Sequence, residues 1–540
     1  MMPFQSRLDR HGPKFAENRA AMLALLERLA AVKDRARTAS ERRRPTFEAR
    51  GQLTPRQRLA GLLDPGMPYL ELFGMANFMV ETPDRETSIP GASLLSGIGY
   101  VSGTRCMIVA SDSGIAAGSM TPITADKLLA CQDIALDKKL PFVHLIESAG
   151  ANLMQYQVEN WAKGGGVFMR LARLSARGIP TIAILHGPST AGGAYFPGLS
   201  DYVIAVRGRG RMSLGGAALV KAATGEVASE EDLAGADMHA TVSGTVEYVA
   251  ADDGHGLQIA RDLIARLDWN RGCRTGAAPD FDEPLHDADD IAGLVPLDYR
   301  TPYDVREIIL RIVDGSVFED FKPDYGRLTV CVQAAICGSP VGVIGNNGPI
   351  DPDAATKATQ FMQLCDQAQM PLIFLHNITG YMVGKAYEQA GMIKHGSKMI
   401  QAVTNVRVPK LSIHVGATFG AGNYGMAGYA YEPDFLFTWP NAVSGVMGGE
   451  QAARTMEQVA RTAAARRGTP VDETAMSAQS AQLSRHFDEQ SDAFYTSGRL
   501  LDMGIIDPRD TRRVLGFCLL TCLEAASRTV QPNTFGVARP

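Results

Sequence analysis

From about residue 95 onward, short apolar runs alternate with stretches whose apolar residues recur at helical spacing. The candidate strands are RCMIVASD, PFVHLIES, TIAILHG and YVIAVRG, and the candidate helices between them include ADKLLACQDIALDK and FMRLARLSAR. Strands that alternate with helices are typical of βαβ units, in which a sheet packs on helices. The pattern therefore predicts an α/β fold.

The second half of the chain repeats the order of the first. PVGVIGNN corresponds to RCMIVASD, PLIFLHNITGY to PFVHLIESAGA, and VPKLSIHVGATFGAGNY to IPTIAILHGPSTAGGAY. Pro180 and Pro409 are 229 positions apart, as are Tyr195 and Tyr424, and a lysine at position 127 recurs at 357. A register kept across three elements predicts an internal duplication into two tandem domains.

The duplicated halves predict three segments. Residues 1–90 are an N-terminal helical extension, residues 91–285 the first domain and residues 286–540 the second. The boundary is placed in the polar, proline-containing stretch TGAAPDFDEPLHDADD, residues 275–290. The Arg-rich stretch SERRRPTFEARGQLTPRQRL, residues 40–59, is interpreted as a solvated helix or loop face.

Composition and charge exclude several classes of protein. With 45% apolar and 21% charged residues and a net charge of −5, the 540-residue chain has no field that would attract nucleic acid or a membrane. No apolar run reaches the length of a membrane span, and the N-terminus lacks the pattern of a targeting signal, so a cytoplasmic protein is expected. The eight cysteines show no paired spacing, which predicts reduced core residues and no metal site.

Candidate chemistry lies where a strand in each half ends in glycine-rich backbone. Gly192–Gly193 and Gly420–Ala421 carry no bulky side chain, so a substrate oxygen can approach their N–H groups. If a helix begins there, its free amides favour an anion, which predicts an oxyanion hole in each half. A second donor is expected from Ala149–Gly150 in the first half and from Gly380 in the second. The alternative is that these glycines only permit tight turns.

Other catalytic motifs are missing. No GxGxxG opens a first βα unit, and neither a P-loop nor a GxSxG elbow occurs. Ser189 and Thr190 have no evident paired histidine, so local backbone hydrogen bonding is expected of them. The carboxylates Glu147, Asp201 and Glu388 are scattered. The predicted sites therefore serve anion stabilisation rather than acid–base chemistry by side chains.

Several long motifs resemble the carboxyltransferase β subunits of biotin-dependent acyl-CoA carboxylases, a crotonase-like (ββα-superhelix) group. They are FEARGQLTPRQRLAGLLDPGMPYLEL, GIPTIAILHGPSTAGGAYFPGLSDYVIAV, PYDVREIILRIVDGSVFEDF, NITGYMVGKAYEQAGMIKHGSKMI and FGAGNYGMAGYAYEPDFLFTWPNAVSGVMGGEQAA. The resemblance covers nearly the whole chain. It implies two tandem crotonase-like domains and transfer of CO2 from carboxybiotin to an acyl-CoA.

The resemblance assigns one anion to the glycine-rich backbone that follows a strand in each half. Gly192 and Gly193 would hold the oxygen of the CoA thioester, and Gly420 and Ala421, with Gly380 and Tyr381, the biotin carbonyl. The biotin anion is then expected to take the substrate proton. Biotin would be carried by a biotin carboxylase and carrier α subunit, because this chain has no AMKM-like biotinylation motif. A β6 core in an α6β6 holoenzyme is expected, with each active site formed between neighbouring β subunits.

Lys127 matches a family lysine near the nucleotide end of CoA, and a plain lysine on a helix surface is the alternative. His395 in KHGSK and His239 in ADMHA fall in matching motifs and are interpreted as structural.

The substrate is expected from the branch of the family. MGGEQAA, NITGYMVG and FGAGNYGMAG resemble the methylcrotonyl/geranyl branch, which carboxylates the γ carbon of a β-methyl-α,β-unsaturated thioester. Methylcrotonyl enzymes typically read HFGRIF where this chain reads KGGGVF, residues 163–168, so Gly164 stands in place of a Phe, followed by Gly165. The lost ring opens room for a longer acyl chain, which favours geranyl-CoA. The alternative is that the three glycines only start a helix or form a mobile loop.

Four points stay open in the sequence. Ala149 stands where family members often have glycine, and the C-terminal extension has no mechanistic interpretation. 3-Methylcrotonyl-CoA is the alternative substrate. A non-carboxylating crotonase-type hydratase or isomerase and a silent scaffold for a biotin-bearing partner are the alternative functions.

Overall fold

The computed structural model describes residues 4–151, 157–273 and 280–540. The chain forms two compact units, which we call the N-unit and the C-unit. The N-unit comprises Ala31–Gly276 and Leu520–Pro540, and the C-unit comprises Met1–Ala30 and Ala277–Leu519. Residues 274–279, which overlap the start of the predicted boundary stretch, lie outside the described residues, and the predicted segment limits stay a prediction.

The N-unit is built on one eight-stranded sheet among its described residues. Strands β1 to β3 pair antiparallel, β3, β4, β5, β6 and β8 pair parallel in that order, and β7 pairs parallel with β5. The strands are β1 (Leu70–Glu71), β2 (Leu94–Val101), β3 (Thr104–Ser111), β4 (Phe142–Ser148), β5 (Thr181–Thr190), β6 (Tyr202–Val206), β7 (Arg211–Ser213) and β8 (Tyr248–Ala250).

The C-unit has a seven-stranded sheet, again counted over its described residues. Strands β9 to β11 pair antiparallel, β11 to β14 pair parallel in chain order, and β15 pairs parallel with β13. The strands are β9 (Phe318–Asp320), β10 (Thr329–Ile336), β11 (Ser339–Asn346), β12 (Leu372–Ile378), β13 (Lys410–Phe419), β14 (Phe435–Thr438) and β15 (Val443–Gly445).

Helices cover the sheets and form the first part of the chain. Those that begin before residue 277 are α1 (Pro13–Glu41), α2 (Arg44–Ala49), α3 (Pro55–Leu62), α4 (Pro122–Asp137), α5 (Val158–Gly164), α6 (Gly166–Ala176), α7 (Tyr195–Leu199), α8 (Ala217–Thr224), α9 (Glu230–Ala234), α10 (Ala236–Met238) and α11 (Asp253–Leu267). The later helices are α12 (Ile291–Leu294), α13 (Arg306–Ile309), α14 (Pro352–Gln367), α15 (Lys385–Gln389), α16 (Met392–Asn405), α17 (Gly420–Gly425), α18 (Gly449–Arg467), α19 (Glu473–Ser491), α20 (Ala493–Gly498) and α21 (Thr511–Ser527).

The two sheets repeat one design. In each sheet, antiparallel strands lead into parallel strands. A short strand then pairs with the end of a long parallel strand: β7 with β5 in the N-unit, and β15 with β13 in the C-unit. The helices α4 and α14 both begin at a proline in the first turn, a position where proline suits the helix start. The predicted duplication is therefore visible in the topology.

The core of each unit lies between its sheet and helices. In the N-unit, β3 to β6 pack with α11, and the cluster includes Ile108, Val143, Ile184 and Leu263. In the C-unit, the faces of α14 and α16 pack on β11 and β12 through Phe361, Met399 and Phe374 among others. Within the described ranges, no helix has both the length and the apolar character needed to cross a bilayer.

Candidate active site

The glycine-rich segment after β5 is a tight turn, which we call the first amide turn. Ala191 has a φ of 54°, in the left-handed region, and a 3-10 turn follows over Ala191–Ala194 before α7. Gly192 is exposed and Gly193 is buried. In a 3-10 turn the N–H of the first two residues has no acceptor within the turn, whereas later N–H groups bond back by three residues. The turn therefore leaves the N–H groups of Ala191 and Gly192 without an acceptor inside it, and both residues are exposed.

The glycine-rich segment after β13 forms a similar turn, which we call the second amide turn. Gly420 has a φ of 58° and begins α17, with Phe419 as its extended N-cap. The first N–H groups of an α-helix have no intrahelical acceptor, and here they belong to Gly420, Ala421 and Gly422. Ala421 is exposed and Gly422 is buried. The turn therefore presents donors beside an open surface, which suits an anionic oxygen.

The register of the duplication pairs the two amide turns residue by residue. At a spacing of 229, Ala191 corresponds to Gly420 and Gly192 to Ala421. Both leading residues are left-handed, so the two turns share their backbone geometry as well as their position. The predicted pairs, Gly192–Gly193 and Gly420–Ala421, thus overlap with an offset of one residue.

The neighbouring strand end of the N-unit differs from the predicted second donor. The Ala149 N–H donates to the Ala117 carbonyl at 3.0 Å, and the Gly150 N–H donates to Ser148 Oγ at 3.1 Å. The hydroxyl of Ser148 itself donates to the Gly118 carbonyl at 2.6 Å. Both amides are therefore bonded within the protein, and any role of Ala149 and Gly150 toward substrate is one of shape rather than of donated hydrogen bonds.

The corresponding strand end of the C-unit packs closely under the second turn. Gly380 has a φ of 114°, and its Cα lies 3.0 Å from where a Cβ on Gly422 would be. The Tyr381 ring packs against Gly396 and Gly425. Its hydroxyl is buried without a hydrogen-bond partner among the described residues, and burial raises the pKa of Tyr381. Glycine at 422 and 425 thus lets α17 lie directly on Gly380 and Tyr381.

Gly164 and Gly165 join α5 to α6 beside the first turn. A Cβ built on Gly164 has no atom of another described residue within 4 Å, so the position is open among those residues. One helical turn later, the Phe168 ring contacts Tyr195 and Phe196, with centroids 5.6 Å and 5.2 Å apart. The Phe168 ring also lies 3.9 Å from a Cβ built on Gly192. The helix that follows the open glycine, α6, therefore borders the first amide turn.

Lys127 lies inside the N-unit rather than on a helix surface. Its side chain is 1% exposed, and Nζ donates to the carbonyls of Gly91 at 3.2 Å and Leu94 at 2.5 Å. Burial lowers the pKa of Lys127 to about 8. The plain surface alternative is wrong, and a contact with CoA stays a prediction.

A buried ionic cluster in the N-unit was missed by the sequence interpretation. Arg58, which is 2% exposed, donates to Glu147 Oε2 at 2.5 Å and to Asp253 Oδ2 at 3.1 Å. His186 Nδ1 lies 2.9 Å from Asp253 Oδ1. The expectation that the whole Arg-rich stretch is solvated is therefore wrong at Arg58, because this side chain neutralises two carboxylates buried with it.

Burial and the cluster partners compete in setting the pKa values. Burial alone would raise the pKa of Asp253, but the hydrogen bond and charge of His186 and the charge of Arg58 outweigh it and bring the pKa to about 2. A cluster signal existed in the sequence, since Arg58 and Glu147 both lie in motifs already singled out. Nothing in their spacing showed that they meet.

Two buried histidines lie beneath the second turn. The rings of His376 on β12 and His414 on β13 are 4.7 Å apart, and burial lowers both pKa values, that of His414 to about 4. His376 Nδ1 lies 3.0 Å from Thr418 Oγ1, near the end of β13.

His239 Nε2 lies 2.7 Å from the Met212 carbonyl, and His395 Nδ1 lies 2.8 Å from Thr356 Oγ1. These contacts agree with structural roles.

Residues 47–536 match the family model of the carboxyl transferase domain, so the chain belongs to the carboxyl transferase family. Within that family it is the carboxyltransferase component, a β subunit, of the biotin-dependent acyl-CoA carboxylases. The resemblance, the fold class and the enzyme class expected from sequence are confirmed.

Three relatives define the neighbourhood of the chain. It is 47% identical to a probable biotin-dependent acyl-CoA carboxylase β2 subunit of Mycobacterium tuberculosis, with 99% of each chain covered. It is 42% identical to the 3-methylcrotonyl-CoA carboxylase β1 subunit of the same organism, over 95% of this chain and 96% of the relative. The crystal structure of the P. aeruginosa geranyl-CoA carboxylase β subunit is similar with a TM-score of 0.93, 46% identity and full coverage of both chains.

A metal site is not evident in the part of the chain that the structure describes: no group of three or more His, Cys, Asp or Glu side chains there is placed to hold an ion. Six of the eight cysteines are buried, and Cys273 and Cys337 are partly exposed.

Proposed function

We propose that this chain transfers CO2 from carboxylated biotin to the γ carbon of a β-methyl-α,β-unsaturated acyl-CoA, with geranyl-CoA as the preferred substrate. The observation that carries the choice of substrate is the open position at Gly164, next to the helix that contacts the first amide turn. Similarity to the geranyl-CoA carboxylase β subunit supports it. The second candidate is 3-methylcrotonyl-CoA, which the 42% identity to a 3-methylcrotonyl-CoA carboxylase subunit favours.

The first amide turn acts on the thioester. The Gly192 N–H donates to the thioester oxygen as negative charge develops there, with Gly193 completing the turn. In a γ-carboxylation the conjugated dienolate returns charge to that oxygen, so one donor site serves a distant carbon. Removal of a donor of this kind typically lowers the rate about 100- to 1000-fold.

The second amide turn fits biotin. The amides of Gly420 and Ala421 begin a helix beside an exposed surface, and Gly380 and Tyr381 form the backbone and ring on which that helix lies. These residues would hold the ureido oxygen. When bound, carboxylated biotin supplies the CO2 and the base that the reaction needs.

Among the described residues, neither Glu147 nor His144 offers a general base near the first turn. Glu147 is held by Arg58 and by Ser113, whose hydroxyl donates to Oε2 at 2.9 Å. His144 is buried, and burial lowers its pKa to about 3. The chain therefore contributes by placing and stabilising anions, and the closeness of two bound reactants supplies further rate.

The assembly follows from the same proposal. Biotin is carried by a separate biotin carboxylase and carrier α subunit, and the β chain forms a homo-oligomer, with a β6 core in an α6β6 holoenzyme. The family resemblance supports this arrangement, in a cytoplasmic setting and without nucleic acid or membrane partners.

The direct test is carboxylation of geranyl-CoA, 3-methylcrotonyl-CoA and propionyl-CoA by the β chain together with its biotin-bearing α subunit. We expect the highest kcat/KM for geranyl-CoA and the lowest for propionyl-CoA. Absence of carboxylated product from all three contradicts the proposal. Hydration or isomerisation of an enoyl-CoA without the α subunit would instead support the crotonase-type alternative, and no turnover of any kind would support the scaffold.

A further inference from the structure

Each amide turn is preceded by a buried hydroxyl at the same place. Ser189 is the penultimate residue of β5, and Thr418 is the penultimate residue of β13, 229 positions later. Ser189 is 0% exposed and Thr418 is 1% exposed. The pairing is also equivalent, because Ser189 lies opposite Ser148 and Met212, and Thr418 lies opposite Ile378 and Ser444.

The Ser189 hydroxyl ties the first turn back to its strand. Its Oγ donates to the Gly193 carbonyl at 2.9 Å, within the segment that carries the Gly192 N–H. A Cβ on Gly193 would lie 3.3 Å from this Oγ, which is tighter than an ordinary contact. The hydrogen bond thus closes a small ring around two glycines, the residues with the most backbone freedom to lose.

The Thr418 hydroxyl contacts the second turn through a side chain of that turn rather than through its backbone. Its Oγ1 accepts from Asn423 Nδ2 at 2.8 Å, and Asn423 lies in α17, just after the helix start. The same oxygen lies 3.0 Å from His376 Nδ1. A buried hydroxyl has one proton and two lone pairs, so Thr418 can join Asn423 and the neutral His376 ring at once.

We infer that Ser189 and Thr418 are positioning residues, one for each anion site of the proposed carboxyltransferase. Neither hydroxyl touches a reactant in this assignment. Each fixes the orientation of a glycine-rich turn, so that its amides already point at the oxygen that becomes charged. Preorganised donors of this kind lose their effect when misplaced, and a shift of about 1 Å can cost ~100-fold in rate. The inference rests on the proposed function.

The test uses the holoenzyme, with the β variants combined with the wild-type α subunit. Ser189→Ala and Thr418→Val remove each hydroxyl at nearly constant shape, and Thr418→Ser restores it. We expect Ser189→Ala and Thr418→Val to lower kcat about tenfold or more while KM for the acyl-CoA changes little. Thr418→Ser should recover most of the rate.

The chain offers matched controls in the same two sheets. Ser96 is 1% exposed, and its Oγ donates to the Leu72 carbonyl at 2.7 Å, so Ser96→Ala loses a similar bond away from the turn. Thr329 is 0% exposed, and its Oγ1 has no hydrogen-bond partner among the described residues, so Thr329→Val is the match for Thr418→Val. The thermal midpoint of every variant shows how much of any loss is instability.

The outcomes distinguish failure of this inference from failure of the proposed function. If the wild-type holoenzyme carboxylates none of the thioesters, the proposed function fails first. With an active wild type, the inference is overturned if Ser189→Ala and Thr418→Val match their controls in kcat, or if Thr418→Ser is as slow as Thr418→Val. A loss of kcat that follows the hydroxyl and not the thermal midpoint supports it.

Discussion

Ala191 and Gly420 occupy the same step of the two amide turns, and both have left-handed backbone, with φ values of 54° and 58°. An L-residue in this region costs about 1–2 kcal/mol. The N-unit therefore accepts at Ala191 a cost that glycine avoids in the C-unit. This asymmetry makes the two turns separately testable.

The first prediction concerns Gly420. Gly420→Ala should be tolerated, because Ala191 holds an alanine in the same conformation, whereas Gly420→Val places a β-branched residue at positive φ, with its Cβ 3.3 Å from the Val446 carbonyl. We expect Gly420→Val to lower kcat by about 100-fold, with little change in KM for the acyl-CoA. Steady-state kinetics of the holoenzyme measure both. An unchanged kcat would mean that the biotin oxygen is not held at this turn.

The second prediction concerns acyl-chain length. Gly164→Phe fills the open position with a ring that can bury about 200 Å², so kcat/KM for geranyl-CoA should fall about 100-fold while that for 3-methylcrotonyl-CoA stays near wild type. Gly164→Ala adds a methyl group into open space and should change neither. Equal losses on both substrates would remove the argument for substrate choice.

The third prediction concerns the buried cluster. Arg58→Met leaves Glu147 and Asp253 without their shared cation, and an uncompensated buried charge costs about 3–5 kcal/mol. Denaturant unfolding should show this loss. Arg37→Met, which breaks an exposed pair with Asp34 on α1, is the control and should leave the unfolding midpoint unchanged. A stable Arg58→Met protein would indicate that the carboxylates are solvated.

The fourth prediction concerns acid stability. Burial holds the pKa of His144 at about 3, so the folded ring stays neutral while the unfolded chain takes a proton below about pH 6.5. The free energy of unfolding should therefore fall by roughly 1.4 kcal/mol per pH unit from this residue as the pH drops from 6.5 toward 3. His144→Leu should flatten that slope, as measured by denaturant unfolding between pH 7.5 and 5. Parallel slopes for both proteins would refute the assignment.

The duplication could be predicted because it is written in local patterns. Pro180 and Pro409 begin equivalent strands, and the glycines that end those strands mark the turns. The turn geometry was less accessible, since alanine at position 191 gives no sign of a left-handed φ. Backbone conformation at that step is imposed by the strand and helix on either side.

The remaining misses share a physical cause. Lys127 turns inward and the Ala149 N–H is taken by Ala117, and both facts depend on partners distant from these residues in sequence or fixed by tertiary packing. Arg58 likewise meets Glu147 across 89 positions. Helical or strand periodicity reports which face is apolar, not which polar groups meet.

The exchange of chain ends has a consequence for how this protein can be divided. The first 30 residues belong with the C-unit and the last 21 with the N-unit. A gene divided between Gly276 and Ala277 would encode two polypeptides. Each would lack a terminal segment of its own unit and would carry a terminal segment of the other unit. Neither polypeptide would therefore contain one complete unit, and a circularly permuted gene would be needed to encode one.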